Sequence, residues 1–198
     1  MEQDSYGYSI LTTKIMITYT TSQTPQDIQQ ILDLQLINLP QNISSIEAQE
    51  QGFVTVHHNY DLLSEMGKKF PHIIAKSNNQ VIGYTLVMLP EFGDKIPVLL
   101  PLFQKINSLV YKDEQLKIGN YFVMGQVCIH KDYRGQNIFK NLYAKMKEVM
   151  SPHFKYIITE IATRNTRSMR AHEKVGFETI TVYSTDKEEW AIVAWDWN

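Results

Sequence analysis

The stretch from Tyr121 to Met150 constrains this chain more than any other. An apolar, strand-like run reaches Gly125-Gln126-Val127-Cys128-Ile129. The turn Tyr133-Arg134-Gly135-Gln136-Asn137-Ile138-Phe139 follows. A helix then runs from Ile138 to Met150 and buries Ile138, Leu142, Tyr143, Met146 and Val149 on one face. A tight turn that opens a helix leaves several backbone N–H groups without an intrahelical partner, all aimed at the positive end of the helix dipole. Such a junction holds phosphate with few charged side chains. Gly135 lets a bulky oxyanion approach the main chain, Asn137 tolerates a left-handed conformation, and Arg134 can add a charge-assisted contact. The turn therefore reads as a pyrophosphate seat at the mouth of a sheet. Many similar junctions bind nothing, so the reading needs context.

The context comes about thirty residues later, in Asn165-Thr166-Arg167-Ser168-Met169-Arg170-Ala171-His172-Glu173-Lys174-Val175-Gly176-Phe177. Together the two segments resemble the GCN5-related N-acetyltransferase (GNAT) family. The first resembles its acyl-coenzyme A pyrophosphate loop, (Q/R)-x-x-G-x-(G/A), here Arg134-Gly135-Gln136-Asn137-Ile138-Phe139. The second resembles its Asn-x-x-(Ser/Ala)…(Tyr/His)-Glu-Lys-x-Gly-Phe helix. The likeness is strongest from Tyr121 to Phe177 and looser from His72 to Leu89. Two departures stand out. The loop's usual small residues are Asn137 and Phe139, and the frequent catalytic tyrosine is His172.

The resemblance implies an α/β fold: a GNAT-like mixed, mostly antiparallel sheet of six to seven strands flanked by helices on both faces, with a single parallel pair after the loop. It also implies direct transfer of an acetyl group from acetyl-CoA, a co-substrate, to an amine. The cofactor-binding residues would be Val127, Cys128 and Ile129 along a strand that splays from its neighbour, then Arg134, Gly135, Gln136, Asn137, Ile138 and Phe139 in the loop, then Asn165 and Ser168. A backbone N–H of Cys128 or Ile129 would polarise the thioester oxygen.

The acceptor amine must attack in its neutral form. For a lysine-like amine, deprotonation at pH 7 costs roughly 5 kcal/mol, so a positioned base is expected. Glu160 is the candidate, because it interrupts an apolar strand where an unpaired carboxylate is costly to bury. Its alternative role is a structural acid paired with Arg164 or a capping amide. His172 shares a helix face with Ser168 and Asn165 and is the candidate acid for the departing thiolate. Its alternative role is a core histidine standing where tyrosine usually stands. Lys131, Arg134, Arg164, Arg167, Arg170 and Lys174 cluster on the two motifs, as a solvated face or as the 3′-phosphate end of coenzyme A.

Other chemistries fit less well. His57 and His58 are neighbours that an extended strand would point to opposite faces, so no metal site is expected. Cys128 as a covalent acyl carrier would need an activating neighbour. It is the single cysteine, so no intrachain disulfide can form, which fits a reducing, cytoplasmic setting. A net charge of −2 argues against a nucleic-acid partner that relies on a basic footprint, and no stretch approaches a membrane span.

Residues 1–14 are polar and aperiodic, and read as a flexible leader ahead of one acyltransferase domain over 15–198. A strand is expected over Ile15–Tyr19 and a helix from Thr24-Pro25 that Pro40 ends. A short helix should follow Ser44-Ser45-Ile46-Glu47, and another should cover Asp61–Phe70. His72–Ser77 and Gln80–Leu89, joined by Asn78-Asn79, form a hairpin with an irregularity at Gly83. Pro97–Tyr111 is read as a helix starting near Pro101 and bearing Val110 on its apolar face, an insertion that would bear on substrate choice. Lys155–Ala162, Phe177–Tyr183 and Glu189–Trp197 complete the strands. The favoured acceptor is a small-molecule amine. The alternatives are a protein N-terminus or lysine, or a cofactor-binding sensor without turnover. The aromatic last strand is a place where a homodimer could pair.

Overall fold

Local chemistry sets most of the element boundaries in the computed structural model, which describes residues 16–43, 56–186 and 188–197. β1 (Ile17–Thr21) leads into α1 (Pro25–Ile37), whose start is closed by a capping box: the Thr24 side chain accepts from the Asp27 amide and Asp27 reaches back to the Thr24 amide. α2 (Tyr60–Gly67) is capped by Asn59. β2 (Ile73–Ser77) and β3 (Gln80–Met88) turn through Asn78 and Asn79, both left-handed, the geometry of a two-residue hairpin. α3 (Leu100–Asn107) and a hairpin of β4 (Val110–Tyr111) and β5 (Glu114–Gln115) precede β6 (Tyr121–Ile129). Then come α4 (Ile138–Met150), β7 (Tyr156–Ala162), α5 (Thr166–Val175), β8 (Glu178–Ser184) and β9 (Glu189–Asp196).

Seven strands form one sheet in the order β1-β2-β3-β6-β7-β9-β8. Every neighbouring pair is antiparallel except β6 and β7, which run parallel with α4 as their crossover. α1 and α2 pack on one face of β3, while α4 packs on β1, β2 and β3 from the other and carries α5 beside it. Gly83 is where α4 comes closest: a Cβ there would lie 3.4 Å from Ile138 and Leu142 and 3.3 Å from the Cys128 carbonyl. The irregularity expected at Gly83 is a register shift next to it, between its partner Ala75 and Lys76. No helix among the described residues is long and apolar enough to cross a membrane.

Two readings are corrected. The helix expected over Pro97–Tyr111 ends at Asn107, and Val110 lies in a strand, 62% exposed rather than on a buried helix face. The reason is Lys112-Asp113, both left-handed, which close a two-residue hairpin that pulls Val110-Tyr111 out of helical conformation. The first strand starts at Ile17 and reaches Thr21, pairing with β2 over its whole length. The leader over 1–14, Ile15 and the short helix after Ser44 lie outside the described residues.

Candidate active site

β6 and β7 pair only through Tyr121–Tyr156, Phe122–Ile157 and Val123–Ile158, although both strands continue well past that point. Beyond it, the Thr159 hydroxyl donates to the Met124 carbonyl at 2.9 Å and the strands part. The parting coincides with a register shift on the other side of β6. Thr85 pairs with Val127 and Val87 with Met124, so β6 carries one more residue than β3 across this interval. The result is a cleft of about 480 Å³, lined by Met124–Val127 of β6, Thr159–Ala162 of β7, Asn165, Ser168 and His172 at the start of α5, and Arg164, Glu188 and Trp190 near β9.

At the far end of β6 the chain makes a short 3-10 turn (Lys131–Tyr133) and enters the loop before α4. Gly135 (φ +79°) and Asn137 (φ +60°) are left-handed, and Asn137 caps α4 without any side-chain hydrogen bond. The amides of residues 135–140 find no acceptor among the described residues. Gly135, Gln136 and Asn137 are exposed, and a Cβ on Gly135 would meet nothing within 4 Å. The loop is thus an open set of convergent donors at a helix N-terminus. Arg134 is used differently from the expectation: its Nε donates to the Ile129 carbonyl at 3.2 Å and its Nη2 to Asn38 Oδ1 at 2.9 Å. These bonds brace the loop against the end of β6 and the C-cap of α1.

Glu160 is half-buried on β7, and Tyr183 Oη donates to its Oε2 at 2.5 Å. Burial raises the Glu160 pKa above the ordinary carboxyl value, and the Tyr183 hydrogen bond opposes part of that rise. Neither partner named from the sequence is used. Arg164 instead pairs with Glu188 at 2.6 Å. Side chains alternate along a strand, so Glu160 shares a face with Tyr156, against which Tyr111 of the inserted hairpin packs edge-on at 5.2 Å. Thr159 and Ile161 lie on the other face. Glu160 and Thr159, from opposite faces of β7, thus both line the cleft, together with Ser168 and His172 of α5.

His172 sits differently from its expected role as an acid. It is 1% exposed, Nδ1 lies 2.8 Å from the Ser168 carbonyl, and Nε2 lies 2.7 Å from Tyr143 Oη. Donation from Nδ1 to that carbonyl leaves Nε2 to accept from Tyr143. Burial pushes its pKa down to about 4, so the ring is neutral near pH 7 with both nitrogens engaged. That geometry makes it a brace between α4 and α5 and unsuits it for proton delivery. The two departures from the family pattern also touch: the Phe139 ring meets His172 edge-to-face at 5.0 Å, and Phe177 closes on His172 from 5.1 Å.

Of the residues singled out from the sequence, the cleft brings together Val127, Glu160, Arg164, Asn165, Ser168 and His172. Cys128 and Ile129 continue β6 beyond it, toward Arg134–Phe139. Cys128 is buried and its thiol is pushed up to about 12 by that burial, which keeps it protonated and removes the covalent-carrier reading. His58 is buried and hydrogen-bonded to Gln35, and among the described residues no three His, Cys, Asp or Glu gather at metal-binding distance. Sequence reading missed Tyr183 and Gln126, whose Oε1 accepts from Tyr84 and whose Nε2 donates to the Val56 carbonyl. It missed Thr159 at the parting as well. A signal for Tyr183 would have required the register of β8 on β9, which places it opposite Trp190, two positions from the Glu160 partner Ile192.

Residues 34–177 match the model of the Acetyltransferase (GNAT) family, and the chain belongs to that family. Comparison with curated proteins by sequence finds no match. Among solved structures, the ribosomal-protein-S18-alanine N-acetyltransferase from Escherichia coli is similar at 13% identity and a TM-score of 0.59, over 91% of this chain and 94% of that one. YncA of Salmonella typhimurium, solved with its cofactor acetyl-CoA, is similar at 11% identity and a TM-score of 0.60, over 92% and 94%. Arabidopsis thaliana Naa50, in complex with the bisubstrate analogue CoA-Ac-MVNAL, is similar at 14% identity and a TM-score of 0.58, over 90% and 97%. At these identities the likeness is one of fold. Family membership makes the chain an acetyltransferase.

Proposed function

We propose that the protein transfers the acetyl group of acetyl-CoA to the amine of a small molecule. The observation that carries this reading is the alignment of the unpartnered amides of residues 135–140 with the parted edge of β6, which leads from the loop into the cleft. Those amides, with the dipole of a 13-residue helix behind them, fit a diphosphate. The β6 edge from Val127 to Ile129 offers main-chain groups for an amide-bearing pantetheine arm. Asn165 and Ser168 line the cleft on the α5 side. Acetyl-CoA held by these residues would supply the acyl thioester.

The residues of the chain then divide the work. Amides on the open edge of β6 donate to the thioester oxygen as it gains charge. Glu160 takes the acceptor's proton through Oε1, leaving the nitrogen free to displace coenzyme A thiolate from the acetyl carbon. Its raised pKa brings it nearer to the operating pH, which is what a general base requires. The inserted helix α3 stands on the Glu160 side of the sheet, facing Tyr183–Thr185 through Pro101, Gln104, Lys105 and Ser108, a placement that favours a small acceptor. The thiolate needs no dedicated acid, because it is a good leaving group.

The test is release of free coenzyme A thiol from acetyl-CoA with a panel of small amines and peptides bearing a free α-amine, alongside calorimetric binding of acetyl-CoA. Turnover with a small amine, lowered by about 10²–10⁴-fold in Glu160→Gln with binding retained, is the expected result. Binding without turnover on any acceptor would leave a sensor module, and turnover on peptides alone would transfer the reading to protein acetylation.

A further inference from the structure

Glu160 and Tyr183 sit on strands that do not pair with each other. β9 lies between them, and the Tyr183 hydroxyl reaches across it to Oε2. Glu160 Oε1 makes no hydrogen bond among the described residues and belongs to a residue that lines the cleft. On the opposite side, Tyr183 lines a shallow groove of about 310 Å³ together with Ser184, Thr185 and four residues of the α3 segment. One side chain therefore separates the carboxylate in the cleft from the inserted helix.

We propose that Tyr183 is a positioning residue for Glu160: it pins one carboxylate oxygen so that the other is presented to the acceptor amine, and it is the wall through which the insertion acts on acceptor choice. This deepens the transferase reading and rests on Glu160 being the base. A carboxylate free to rotate would divide its time between orientations, and fixing it raises the fraction of encounters with the acceptor in line. Among the described residues, the other charged and polar groups lining the two cavities are placed as follows. Glu188 is neutralised by Arg164, Lys105 lies in the groove beyond Tyr183, and Gln126 and Asn165 are uncharged. His172 is buried between α4 and α5 and is neutral near pH 7. The hydroxyl of Tyr183 is thus the group that most directly favours ionised Glu160.

The experiment compares wild type, Tyr183→Phe, Glu160→Gln and the double variant. Removing a donor from a carboxylate lifts its pKa. Tyr183→Phe is therefore expected to move the acid limb of kcat/KM upward by roughly one pH unit and to lower kcat about tenfold. The double variant should be no slower than Glu160→Gln, because the two residues act as one unit. Replacing Tyr183 should also change the ranking of acceptors differing in bulk while leaving acetyl-CoA affinity unchanged by calorimetry. The pKa of Glu160, followed by carbon NMR of its side-chain carboxyl in the protein alone, reads the link without turnover, and melting curves check that each variant folds. If Glu160→Gln retains full rate, the base assignment fails. If Glu160→Gln is slow but Tyr183→Phe shows neither a displaced acid limb nor a displaced carboxyl titration, the Tyr183 proposal alone is overturned.

Discussion

Helices α1 and α4 are each 13 residues long, and their beginnings could hardly be treated more differently. α1 starts at Thr24 with both halves of a capping box in place, and Asp27 supplies a carboxylate that is further paired with Lys76 at 2.5 Å. α4 starts at a left-handed Asn137 whose side chain caps nothing, with no acidic residue in its first turn. The first helix closes its orphan amides with its own side chains; the second leaves them open among the described residues. An uncapped start is a stability loss of about 1 kcal/mol. The lesson is that the missing cap is as informative as the glycine beside it.

The largest expected effect concerns what holds the open start in place. Behind it, His172 braces α4 to α5, and His58 and His72 are likewise buried, with pKa values pushed down to about 4 by burial. A base whose folded pKa is depressed binds fewer protons than the unfolded chain between pH 4 and 6.5. The stability it contributes is therefore full above the unfolded pKa and is lost as pH falls through that window. The melting temperature should fall steadily from pH 7 to pH 4, with each histidine contributing up to roughly 3 kcal/mol. His172→Phe should flatten that dependence and, by orphaning the Tyr143 hydroxyl, destabilise the protein by about 1–3 kcal/mol at pH 7. An unchanged slope would remove His172 as the brace.

Asn137→Asp sharpens the contrast because its two effects have opposite signs. A carboxylate at the open start complements the dipole and should raise stability by up to about 1 kcal/mol. If the loop seats the diphosphate as proposed, the same charge should weaken acetyl-CoA binding by about tenfold or more by calorimetry, roughly 1.4 kcal/mol. Equal affinity in this variant would break the comparison outright. The smallest effect belongs to the sealed start. Thr24→Ala should cost about 1 kcal/mol in denaturant melts and leave acetyl-CoA affinity untouched.

What could be read from the sequence follows the range of the forces involved. Thr24, Asn165 and Gly176 mark helix ends through contacts with residues three or four away, and Thr24 sits at the boundary the sequence indicates. Tyr121–Ile129 and Ile138–Met150 are delimited by periodicity and by the turn between them. Gly176 is doubly required, since it is left-handed and a Cβ there would lie 2.6 Å from the Trp195 indole nitrogen. The Lys112-Asp113 hairpin was legible in principle but hidden by the helical spacing of Leu99 to Val110. The Glu160–Tyr183 bond was not legible, because it depends on how two strands register on a third. The exchange of tyrosine for His172 was visible, whereas its contact with Phe139 required the packing of two helices.

Cys128 carries a practical consequence. The residue is 8% exposed and burial pushes its thiol pKa up to about 12, so at pH 8 very little of it is thiolate. Aromatic disulfide reagents added to the folded enzyme will find almost nothing to react with on the polypeptide. Colour development during turnover can then be credited to liberated coenzyme A, and a slow rise without acceptor becomes a gauge of unfolding.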